Sequence, residues 1–234
     1  MRCIATAVLG LLINGLAPLS AHAAPIIISQ PSAAYQSSTT KIDISGLTLN
    51  TNVTSVSDAA LTVTFGTTAS SLNVRQVPVG GWGSWSSPPY SESATPRVLF
   101  KNADSLTLNL SQAVEIFGFE LESDFLNNAE FTAKYFLGTN LIGTVGPLTI
   151  DKEGGARLFA LNGVGETFDR IVIKGNDAFA IAQIRYAFDQ IDPPSVVPEP
   201  PSAVLWSLLG IIGAVITVVQ SRRTAHSQLC TTPA

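Results

Sequence analysis

Between residues 24 and 192 the chain has no cysteine, no histidine and no methionine. Cys3, Cys230, His22, His226 and Met1 all fall outside that stretch. The absences exclude whole classes of chemistry. Without cysteine there is no internal disulfide. Without cysteine or histidine there is no Ser-His-Asp or Cys-His nucleophile pair and no ordinary zinc site. Basic residues are also scarce. Of the 13 lysines and arginines, Arg2, Arg222 and Arg223 sit near the ends, whereas of the 17 acids only Glu199 does, which leaves the middle of the chain net acidic. Nucleic-acid binding needs clustered cations to displace counterions, so no nucleic-acid partner is expected. No phosphate loop, dinucleotide fingerprint or internal repeat is present, and no cofactor is expected. What remains is carboxylate, lysine or tyrosine chemistry, hard cations such as calcium, and binding.

The two ends read as targeting segments. Residues 1–23 carry Arg2, an apolar run from about Ile4 to Ile13, and then Ala21-His22-Ala23. That is the order of a secretory signal peptide with cleavage after Ala23. Near the other end, Ala203–Val219 holds no charge. As a helix it would reach about 26 Å, at the short end of what spans a ~30 Å hydrocarbon core. Arg222 and Arg223 follow at once, where a cytoplasmic flank carries positive charge. The expected organisation is a signal peptide at 1–23, an ectodomain at 24–192, a proline-rich linker at 193–202, a transmembrane helix at 203–219 and a basic cytoplasmic tail at 220–234.

Val197-Pro198-Glu199-Pro200, then the apolar run, then the arginine pair, resembles the PEP-CTERM sorting signal. The resemblance implies that Val197, Pro198, Glu199 and Pro200 are recognised by an exosortase-like processing enzyme and that Arg222 and Arg223 are the stop signal. It implies an exported protein, anchored in the inner membrane as a precursor and then released to the cell surface or the extracellular matrix, in systems that accompany exopolysaccharide and biofilm. Pro201, and the stretch Thr224–Ala234 after the arginines, depart from the family pattern.

The ectodomain has a hydrophobic period of two. Phe117, Phe119 and Leu121 alternate with Glu120, Glu122 and Asp124; Leu106, Leu108 and Leu110 alternate with Ser105, Thr107 and Asn109. Leu61–Phe65 and Glu130–Leu137 repeat the pattern. Asn127-Asn128, Gly138-Thr139-Asn140, Asp151–Gly155 and Gly175–Asp177 supply turn chemistry. The fold class expected is all-β, an antiparallel β-sandwich with jelly-roll-like character, with no amphipathic helix outside the end segments. The span from about Val114 to Phe188 also resembles the β-sandwich body common in PEP-CTERM proteins. At the two acidic positions of that family's closing strand, this chain has Ala182 and Gln183.

Two features stand out as candidate sites. The row Glu120, Glu122, Asp124 projects to one side of a strand and could share a calcium ion or work as an acid–base pair; its plainer reading is a solvated, edge-protecting face. Residues 80–96, GGWGSWSSPPYSESATP, place Trp82, Trp85 and Tyr90 on a long loop. Their rings could stack on sugars, which makes polysaccharide a candidate partner, or fold back onto the sandwich edge. No catalytic residue is assigned. The role expected is that of a non-enzymatic structural or adhesive matrix component. The alternatives are a carbohydrate-binding module using the loop aromatics and, behind it, a carboxylate-based hydrolase.

Overall fold

The computed structural model describes residues 23–66 and 70–189. Most of the expected signal peptide, the linker, the transmembrane helix and the basic tail lie outside the described residues, as do the sorting-motif residues Val197, Pro198, Glu199, Pro200, Arg222 and Arg223. No helix among the described residues is long and apolar enough to cross a membrane.

The described residues form two antiparallel sheets. One has the order β1 (Ile26–Ile28), β12 (Arg157–Asn162), β9 (Ile116–Ser123), β14 (Phe179–Ala187), β7 (Arg97–Lys101), β6 (Leu72–Gln76), β3 (Asn52–Val53), with β2 (Thr40–Lys41) also pairing β14. The other has the order β11 (Asn140–Ile150), β10 (Ala129–Leu137), β13 (Phe168–Gly175), β8 (Ser105–Val114), β5 (Thr62–Phe65), β4 (Ser55–Ser57). From β8 onward the chain crosses between sheets at nearly every connection, and β10 with β11 form a hairpin within one sheet.

The period-two pattern explains the packing. On β9, Phe117, Phe119 and Leu121 point inward; on β10, Phe131, Ala133 and Tyr135 do so; on β13, Ile171 and Ile173. They meet across the sandwich. Phe131 and Phe179 pack edge-on at 5.3 Å, and the Tyr135 hydroxyl donates to the Phe159 carbonyl at 3.1 Å. The expected turns sit where the strands reverse, and Asn128 and Gly138 take the left-handed backbone conformation that such turns need. One short helix was not expected from the sequence: α1 (Ala33–Ser38), capped by Ser32, whose hydroxyl accepts from the Tyr35 amide at 3.3 Å.

The edge-protecting reading of the acidic row is corrected here. β9 lies between β12 and β14 in the interior of its sheet, so its outer face is flanked on both sides and guards no edge.

Candidate carboxylate site under the tryptophan loop

On β9 the residues facing away from the sandwich core are Gly118, Glu120 and Glu122. Both glutamates are fully buried. What covers them is the segment between β6 and β7, residues 77–96, laid across the outer face of the eight-stranded sheet. That face is made for a cover. Ala180 and Ala182 on β14, Ala156, and Val98 and Phe100 on β7 form with Val77, Trp82 and Trp85 a second apolar cluster outside the main core. Small side chains on the strands leave room for the indoles. Trp82 lies 5.7 Å from Phe100, and the Arg75 guanidinium sits 3.7 Å over the Phe100 ring.

The polar ends of the two indoles meet the two acids. Trp82 Nε1 donates to Glu122 Oε2 at 2.5 Å, and the Gly155 amide donates to Oε1 at 3.1 Å. Trp85 Nε1 donates to Glu120 Oε2 at 2.8 Å, and the Glu92 amide donates to Oε1 at 2.7 Å. Donors favour the ionised carboxylate, while removal from water favours the neutral acid. Burial wins at both, and each is pushed up to about 7.

The loop is fastened at both flanks. Glu92 makes a two-pronged bond with Arg185 on β14, at 2.5 and 3.2 Å, and lies 3.6 Å from Lys41. Arg185 also donates at 3.1 Å to the carbonyls of Gln36 and Thr39, at the end of α1. On the other flank Ser84 donates to the Lys152 carbonyl and accepts from the Gly154 amide, both at 3.0 Å, and Ser86 donates to the Gly154 carbonyl. Beneath α1 the Tyr35 hydroxyl is buried with no hydrogen-bond partner among the described residues. Burial, then the nearby Glu92, push it far above the ordinary tyrosine value.

Beyond Glu122 the row opens to solvent. A cleft of about 450 Å³ is lined by Trp82, Ser84, Ser123, Asp124, Lys152 and Glu153. Asp124 is half-buried there. Burial and, less strongly, Asp177 raise its pKa, and Arg75 pulls against them. Asp177 is the reverse case. Burial raises it, but bonds from the Ser123 hydroxyl (2.5 Å) and the Phe125, Leu126 and Ala178 amides outweigh burial and hold it below the usual range. It clamps the turn that carries Asp124.

The two features that the sequence suggests separately are therefore one site. Trp82 and Trp85 are each only 5% exposed, so their faces serve packing and are closed to a sugar ring; Tyr90, 47% exposed with Arg157 4.5 Å over its ring, is the outward aromatic of the three. The fold-back is onto the outer sheet face and not onto the sandwich edge. No group of three or more His, Cys, Asp or Glu side chains is placed to hold a metal among the described residues. A calcium ion at Glu120 or Glu122 would have to displace the N–H donors. Glu92 and Arg185 belong to the site without any sequence signal that marks them, and Gly155 and Asp177, which the sequence marks only as turn residues, belong to it too.

No family model matches the chain, and no curated protein matches it. Among solved structures it is similar to a cyclase from Fischerella sp. TAU in complex with 4-(1H-indol-3-yl)butan-2-one, at 10% identity and a TM-score of 0.37, over 63% of this chain and 96% of that one. It is also similar to a Stig cyclase, FisC, from the same organism, at 9% identity and a TM-score of 0.29, over 64% and 83%. Both of those proteins are cyclases, which stands against the expectation of a non-enzymatic structural or adhesive component; at TM-scores of 0.37 and 0.29 they assign this chain no activity of its own. Identities of 10% and 9% transfer no residue roles.

Proposed function

We propose that this chain is exported through its PEP-CTERM-like tail and delivers to the cell surface or beyond a jelly-roll-like β-sandwich with a carboxyl-based proton-transfer site. The observation that carries the chemical part is the row of Glu120 and Glu122 on β9 and Asp124 just past its end, each raised by burial, with Asp124 opening into a cleft. General acid–base catalysis works best when the group's pKa approaches the ambient pH, and burial is the ordinary way to bring a carboxyl there. Asp124 is the group that touches the substrate. Trp82 walls the cleft and Lys152 supplies a cation at its rim. Glu122, behind Trp82, keeps the floor of the site low in charge.

Carbodiimide coupling tests the assignment, because a carboxyl must be protonated to react with carbodiimide. The protein is treated with a carbodiimide and glycinamide between pH 5 and 8, and labelled peptides are mapped by mass. Asp124 is expected to label at higher pH in the folded protein than in the urea-unfolded chain. The same fall-off with pH in both states removes Asp124 as the acid. Export is tested by the intact mass of protein recovered from its native host. Loss of residues 1–23 and of everything past about Pro198 supports the sorting reading; a mass that retains both ends overturns it.

A further inference from the structure

The opposite face of the sandwich carries a second site of different character. On the six-stranded sheet the outward residues of β10 are Glu130, Thr132, Lys134 and Phe136, and those of β13 are Arg170, Val172 and Lys174. All of these but Arg170 line, with Pro147 and Asn176, a cavity of about 580 Å³, within the range of small-molecule sites. A neighbouring cavity of about 260 Å³ shares Val172 and Lys174 and continues the furrow to Thr107 and Ser70.

The register decides what the furrow offers. Lys134 pairs with Val172, Thr132 with Lys174, and Phe136 with Arg170. Lys134 and Lys174 are thus diagonal neighbours across Val172, about 7–8 Å apart at the backbone. Neither makes an ion pair among the described residues. Glu130, two residues before Thr132, is the diagonal neighbour of Lys174 on its other side, and its amide donates to Asn176 Oδ1 at 2.9 Å. Arg170 stacks 4.8 Å over Phe136 and donates to the Gly138 carbonyl at 2.7 Å, while its Nε–H is buried without a partner among the described residues. Two lysines and one glutamate therefore surround an apolar floor of Phe136, Val172 and Pro147, a local excess of positive charge in a domain that is otherwise acidic. Lys134 and Lys174 repel each other. An anion seated between them relieves that repulsion.

We infer that this furrow binds a flat, apolar molecule bearing an anionic group, with its ring on Phe136 and Val172 and its charge between Lys134 and Lys174. The site is independent of the carboxylate cleft and stands or falls separately from it. The test is a calorimetric titration of the full chain at low ionic strength with 2-naphthoate and with its uncharged counterpart 2-naphthylmethanol. Saturable one-site binding of naphthoate is expected, with the alcohol and the Lys134→Ala/Lys174→Ala variant each weaker by about tenfold or more. Phe136→Ala is expected to weaken both ligands, and Lys101→Ala, on the other sheet, neither. Absence of saturable naphthoate binding overturns the inference, as does equal affinity in the double-lysine variant.

Discussion

A glutamate that titrates near 7 ties stability to pH in an unusual direction. Glu120 and Glu122 are raised in the folded chain from an ordinary value of 4.5, so the folded state binds more protons than the unfolded one between those limits. Their contribution is fully present below about 4.5 and is lost as pH rises through about 7. At 1.36 kcal/mol per pKa unit the loss is on the order of 3 kcal/mol for each carboxyl. Asp177, held low by its donors, works in the opposite sense and is lost as pH falls through its folded value. Thermal melts are expected to show a stability maximum on the acid side of neutrality. Glu120→Gln/Glu122→Gln should flatten the decline from pH 5 to 8, and a decline of unchanged slope would mean other groups carry it. Tyr35 is a simpler case. Its hydroxyl is buried without a partner, so Tyr35→Phe is expected to stabilise by about 1 kcal/mol, read from urea midpoints; destabilisation would show that the hydroxyl has a partner in solution.

At the scale of elements, the loop 77–96 is held less by its own conformation than by what it covers. Trp82→Phe and Trp85→Phe keep most of the ring but delete the N–H that each buried carboxyl accepts. Each is expected to cost about 1–3 kcal/mol and to speed amide exchange in the loop and at Gly155, while β10 and β13 stay protected. Uniform acceleration across both sheets would mean that the loop does not open as a unit. The same element shows what a one-dimensional pattern can and cannot say. Alternation along β9 states which residues share a face, and it placed Phe117, Phe119 and Leu121 in the core correctly. It does not state what lies on the other face. The cover over Glu120 and Glu122 comes from Trp82 and Trp85, some forty positions earlier, and nothing in the spacing of either segment refers to the other. Turns were legible because Asn128 and Gly138 satisfy a local backbone demand. The Glu92–Arg185 fastening is non-local and was not.

For the whole molecule, a β-sandwich with no cysteine between 24 and 192 is held by non-covalent contacts alone across that span. Its melting temperature is expected to be the same with and without reductant, and a shift would point to a disulfide between chains through Cys3 or Cys230. The two sheets also divide the labour. The outer face of the eight-stranded sheet is sealed by a loop over neutralisable acids, and the outer face of the six-stranded sheet is open and locally basic.

Each tryptophan between residues 24 and 192 donates its indole N–H to a carboxyl that changes charge near neutrality. A negative charge beside the indole nitrogen shifts the ring's electronic transition, so the intrinsic ultraviolet emission of this domain is wired to the titration of Glu120 and Glu122. Without any added dye, the protein carries an optical gauge of its own proton occupancy. A midpoint near 7 in its emission, absent once both glutamates are glutamine, would read that gauge directly.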